Sequence, residues 1–218
     1  MITSRVLKSV LLVGAVVLGG CTSHVTKPDQ YSGFLGDYSG LSQATSPSGK
    51  PVLRWVDPSF KPSAYTKLVW NPITYYPRPN PDTQVTQQVL DSVLDYTNSH
   101  LKTAAGQRLQ LVSRPEAGTL IFRGAITQVN TEAEGLQFYE VLPVTLVVAG
   151  AESASGHRTM NTNLYFEGEL IDAATGKPVL KVVRKGAGKD ISNSTQKVTF
   201  NDLKPVVDNL ATDITEYH

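Results

Sequence analysis

The chain has 218 residues, of which 40% are hydrophobic and 18% charged, with a formal net charge of +1 and a single cysteine. A chain of this length buries roughly 70% of the surface its unfolded form exposes, so it needs no metal or disulfide to fold. One cysteine excludes an internal disulfide, the near-neutral charge argues against an electrostatic nucleic-acid binder, and the apolar content argues against disorder.

Residues 1–20 read as an export signal. Arg5 and Lys8 stand without an acid in Met1 to Ser9, an apolar run follows from Val10 to Leu18, and Gly19, Gly20 and Cys21 close it. The nine apolar residues before the glycines are too few for a membrane span, which takes about 20. Leu18-Gly19-Gly20-Cys21 resembles the lipobox of bacterial lipoprotein precursors. That resemblance implies cleavage before Cys21, a diacylglycerol thioether on its sulfur, an acylated amine and no free thiol. One acyl chain holds a protein to a membrane only marginally, while two or three hold it lastingly. Thr22 stands where an Asp would signal retention, which implies the outer membrane, with the domain facing the periplasm. Cleavage removes two basic residues and turns the formal charge to −1.

From Cys21 to Tyr31 the polar, aperiodic sequence reads as a lipidated tether. Residues 32–81 are rich in aromatics, and seven of the 13 prolines fall between Pro51 and Pro81. Such proline density disfavours helix and central strand, so the segment reads as an extended arm packed on the domain, with Tyr65 to Trp70 as a short strand. Residues 82–218 read as the domain proper. A helix is expected from about Thr83 to Ala105, capped by Asn80 or Asp82 and ended by Gly106. Strands are expected at 109–112, 119–130 and 139–150. Residues 163–186 form a hairpin around Asp172 to Lys177, with Leu164, Phe166 and Leu170 on one face and Tyr165, Glu167 and Glu169 on the other. A last helix begins at Asn201 or Asp202 and carries Leu203, Val206, Val207, Leu210, Ile214 and Tyr217 at helical spacing. This order predicts an α+β fold, a mostly antiparallel sheet with both helices on one face.

No constellation of catalytic residues emerges. His24, His100, His157 and His218 lack metal-ligand spacing, and His100 reads as a last-turn residue favoured by the helix dipole. Ser153 and Ser155 lack the frame of a nucleophile elbow. Gly186-Ala187-Gly188-Lys189 lacks the first glycine and the Ser or Thr of a phosphate loop. Glu167 and Glu169 read as a solvated face, and Glu167 or Asp172 would carry a hydrolase only if a site were assembled from distant segments. Trp55, Trp70, Tyr75 and Tyr76 form the one candidate binding surface, for a sugar or small apolar ligand, against the simpler reading that they staple the arm to the sheet.

The segments GFLGDYSGL, LRWVDPS, NPITYYP, RPEAGTLIFRGAIT and LIDAATGKPVLKVVRKG, in this order, resemble bacterial lipoproteins grouped as domain of unknown function 3313, from about Ser32 to the C-terminus. The resemblance brings no activity, cofactor or metal. The expectation is a non-enzymatic, lipid-anchored envelope protein that works by contact with other envelope proteins or peptidoglycan; the alternative is a glycan or small-ligand binding module using the aromatic arm.

Overall fold

The computed structural model describes residues 25–133 and 159–217. Cys21, His24, the strand expected at 139–150, Ser153, Ser155, His157 and His218 lie outside the described residues.

Among the described residues eight strands form one sheet: β1 Ser42–Thr45, β2 Pro51–Val56, β3 Lys67–Trp70, β4 Thr74–Tyr75, β5 Gln110–Val112, β6 Thr119–Ala133, β7 Met160–Asp172 and β8 Pro178–Ala187. They lie in the order β1-β2-β8-β7-β6-β3-β5, with β4 also paired to β6. The β1–β2, β2–β8, β8–β7 and β7–β6 pairs are antiparallel, whereas β3 runs parallel to β5 and β6. Two helices, α1 Gln87–Arg108 and α2 Phe200–Thr215, share a single core with one face of this sheet. The α+β class and the two-helix cover are therefore as expected.

The β7–β8 hairpin shows why its pattern was readable. Leu164, Phe166 and Leu170 point to the helices and Tyr165, Glu167 and Glu169 away from them, the period-two alternation of a strand. Gly176, at φ +68°, closes the turn by donating its N–H to the Asp172 carbonyl at 2.8 Å.

The proline-rich arm is woven into the sheet. It supplies β1 to β4, and Pro51 is tolerated in a strand paired on both sides because it occupies the first residue. Tyr65 to Trp70 does contain a strand, β3, placed between β5 and β6.

The helix ends depart from expectation. The N-cap of α1 is Thr86, whose hydroxyl accepts from the Val89 N–H, while Asp82 caps an earlier turn through the N–H groups of Gln84 and Val85 at 2.8 and 2.6 Å. Gly106 lies within α1, which runs on to Arg108, so His100 is two turns short of the end; its ring lies 3.6 Å from that of Tyr96. Asn201 and Asp202 do not start α2. Thr199 does, and Asp202 is its reciprocal third residue, accepting from the Thr199 N–H and hydroxyl at 2.8 and 2.7 Å.

Candidate functional site

The face of the sheet turned away from the helices was expected to meet water, and this is the main correction the structure makes. Glu167 and Glu169 are only 1% and 3% exposed. The chain from Val25 to Leu41 lies across them as a strap, so the residues expected to begin as a free tether are docked from Val25 onward, and Thr26 is buried. Glu167 Oε1 accepts the Ser32 N–H at 2.9 Å, and its Oε2 accepts the Tyr38 hydroxyl at 2.6 Å. Tyr31 stacks on Tyr38 at 4.3 Å. Lys181 Nζ donates to the carbonyl and Oδ2 of Asp37 at 2.8 and 2.9 Å. Tyr165 takes part through Gln30 and through Glu132, which also pairs with Lys185 at 2.6 Å. Arg123 pairs with Glu169 at 2.6 Å, yet burial raises the Glu169 carboxyl above its ordinary range, ahead of the opposing pull of Arg123 and Lys181. Every carboxylate of this network is held by the strap or by a sheet cation, which makes the network a lock.

Asp172, the other hydrolase candidate, organises the hairpin turn. It accepts the Tyr65 hydroxyl at 2.5 Å and the Thr175 N–H at 2.7 Å; these bonds lower its pKa and raise that of Tyr65 to about 12. The stretch from Gly186 to Lys189 has a packing role. A Cβ at Gly186 would overlap Val206 of α2, and the N–H groups of Gly188 and Lys189 bond to the Thr162 and Asp202 carbonyls, both at 2.8 Å. Among the described residues no group of three His, Cys, Asp or Glu could hold a metal ion.

The four aromatic candidates are not brought together. Trp55 lies on the strap face under Lys181, 5.3 Å from its ring, and Gly40 leaves room for it. Tyr76 is 44% exposed against Phe34. Tyr75 donates its hydroxyl to the Leu90 carbonyl at 2.9 Å, borders a hollow of about 480 Å³ beside Arg78 and Asp82, and has its pKa raised by burial. Of the four, Trp70 alone borders an apolar cavity on the helix side of the sheet.

That cavity, about 420 Å³, lies between the helix side of the sheet and the C-terminal ends of α1 and α2. Its floor is aromatic. Trp70 stacks on Phe122, its neighbour in the β3–β6 pairing, at 4.2 Å, and Phe166 continues the row. A glycine pair, Gly124 opposite Gly168, makes this floor possible: a Cβ on either would press on the Phe122 or Phe166 ring at 2.6 to 3.0 Å. Leu68, Leu101, Ala105, Leu120 and Leu210 complete the apolar wall, and the exposed Pro47, Pro62, Ser63 and Arg108 mark where it meets solvent. Glu169 borders the cavity through its main chain, since its carboxylate turns to Arg123 on the other face.

Polar groups gather at one end. Arg184, 3% exposed on β8, pairs with Asp213 of α2, and burial lowers its pKa to about 10. Arg108 donates to the Thr215 and Tyr217 carbonyls at 3.0 and 2.6 Å, tying the end of α1 to the end of α2. Arg54 lies over the Tyr217 ring at 5.7 Å. None of these arginines was singled out in the sequence, and only the alternation of β2 and β8 could have placed Arg54 and Arg184 on the helix side.

Comparison with known proteins agrees with the sequence resemblance. The model of the family described as protein of unknown function DUF3313 matches residues 30–214. The chain is 59% identical over 215 residues to the uncharacterized lipoprotein YdcL of Escherichia coli K12, covering 99% of this chain and 97% of that one. The same figures hold for its counterpart in the O157:H7 strain. Among solved structures, a PelC dodecamer from Paraburkholderia phytofirmans matches 77% of this chain and 98% of its own, at 11% identity and a TM-score of 0.34.

Proposed function

The chain belongs to the DUF3313 family, and from that premise we propose that it is a non-enzymatic envelope lipoprotein whose domain binds a small apolar molecule in the cavity between sheet and helices. In this reading Cys21 carries the acyl groups, the anchor lies in the outer membrane and the domain faces the periplasm. The 59% identity to a named lipoprotein over nearly the whole chain supports the anchoring, and the Leu18-to-Cys21 lipobox supports its site.

The observation that carries the binding role is the cavity. Interiors are packed to crystal-like density, and a cavity of about 420 Å³ beside a row of aromatic rings leaves those rings without contacts that a tighter core would have made. Its volume falls in the range of ligand sites, about 300–1,000 Å³. The paired glycines make room for the Phe122 and Phe166 rings that floor it. The carboxylates that could have supported hydrolysis are spent on the strap or the turn.

The test uses N-phenyl-1-naphthylamine, a neutral apolar dye that brightens when it leaves water. The mature chain from residue 21, with Cys21→Ser so that it carries no acyl group, retains every described element. Saturable one-to-one brightening is expected, with loss in Ala105→Phe, which places a ring in the cavity from α1. Binding that does not saturate, or that Ala105→Phe leaves intact, overturns the reading.

A further inference from the structure

We propose that the molecule bound in this cavity is an anionic amphiphile: one alkyl or acyl chain lying on the Trp70–Phe122 floor, and a carboxylate or phosphate head held by Arg54 and Arg108. This rests on the reading that the cavity binds a ligand at all, and it specifies the chemistry of that ligand.

The charge balance at the mouth points to an anion. Three arginines border an otherwise apolar cavity, and only Arg184 is matched by a carboxylate, Asp213. Arg54 and Arg108 make no ion pair among the described residues: Arg54 has the Tyr217 ring beside it, and Arg108 has two main-chain carbonyls. Arg108 is exposed and Arg54 half-buried at this mouth, so an arriving anion can form charge-assisted hydrogen bonds with both. The C-terminal end of α2 would repel an anion, but Arg108 covers the carbonyls there.

Arg184 is committed to the fold, its Nη1 paired with Asp213 and its Nη2 3.4 Å from Ser48 Oγ, which leaves Arg54 and Arg108 as the lining arginines without a carboxylate among the described residues. A cationic ligand fits poorly, because Asp213 is already neutralised. A sugar fits poorly as well, since one end of the site is charged and the rest offers few hydrogen-bonding groups.

The experiment titrates the same mature chain with dodecanoate, dodecyl phosphate and dodecan-1-ol, read through tryptophan fluorescence and displacement of N-phenyl-1-naphthylamine. One or both anions are expected to bind about 10- to 100-fold more tightly than the alcohol, as a charge-assisted contact worth about 1.5–3 kcal/mol requires. Preference for dodecanoate would indicate a fatty-acid source, and preference for dodecyl phosphate a phospholipid-derived one. Arg54→Gln removes no hydrogen bond that the fold uses, so it is expected to erase most of the preference without lowering the melting temperature, and Arg54→Lys to restore part of it. Arg108→Gln should act in the same direction but also loosen the end of α2. Equal binding of alcohol and anions, or a preference that survives Arg54→Gln with the protein folded, overturns this inference and leaves the cavity reading standing. Failure of the dye and all three amphiphiles to bind overturns both.

Discussion

Replacing Glu167 by alanine separates a strapped sheet from a solvated one. On a solvated face the change would alter stability by no more than about 0.5 kcal/mol. In the structure the carboxylate is 1% exposed and accepts two hydrogen bonds from the strap, from the Ser32 N–H and the Tyr38 hydroxyl. Bonds to a charged acceptor contribute about 1.5–3 kcal/mol each, and a donor left without a partner costs about 1–3 kcal/mol. Part of this is returned, because the mutant no longer desolvates a carboxylate. The net expectation is a loss of about 2–4 kcal/mol, or roughly 5–15 °C in melting temperature for a chain of this size. Urea denaturation of the mature Cys21→Ser chain measures it. Tyr38→Phe, alone and combined with Glu167→Ala, completes a cycle in which a coupling of at least about 1 kcal/mol is expected. A loss below about 0.5 kcal/mol with no coupling would refute the strap as a structural lock.

In cells, Cys21→Ser in the full-length precursor should abolish palmitate labelling and membrane fractionation; a variant still labelled and still pelleting with the outer membrane would sink the anchoring site. The raised pKa of Glu169 carries a pH signature. A carboxyl protonated more readily folded than unfolded favours the native state below the ordinary glutamate value, about 4.3, and this advantage is lost as pH rises from there through the higher folded value. Thermal melts should therefore show Glu169→Gln gaining on the wild type as pH rises above about 4.3, and a difference that stays flat would contradict burial as the dominant influence on this group.

Much of the fold was legible because its signals are local. The alternation of Leu164, Phe166 and Leu170 with Tyr165, Glu167 and Glu169 comes from the pleat itself, and the Asp172–Lys177 turn carries its own hydrogen bonds. The apolar stripe of α2 places Leu203, Val206, Val207 and Leu210 in the core, as its spacing required. The α1 cap was misplaced by four residues because Asp82 has the chemistry of a cap but spends it on the preceding turn. Gly106 has the chemistry of a helix stop, yet α1 continues past it to Arg108, whose side chain reaches the end of α2.

What alternation along β7 cannot state is what covers each face. Glu167 meets Ser32, 135 residues earlier in the chain, and that contact depends on where the strap comes to rest. The aromatic residues illustrate the same limit: equally prominent in sequence, Trp55 and Trp70 end on opposite faces because strand parity sends one to the strap and the other to the cavity. The cavity and its arginine mouth are wholly tertiary, assembled from β2, β8 and the ends of two helices more than a hundred residues apart. By itself the sequence determined the class of the fold, its two helices, the strands β3 and β5 to β8 and the family, since periodicity, turn chemistry and motif wording are read within a few residues; β1, β2 and β4 were hidden by the prolines of the arm. Only the tertiary structure decided which charges are buried, which rings share a floor and where a ligand could enter, because those depend on contacts between segments that no local pattern links.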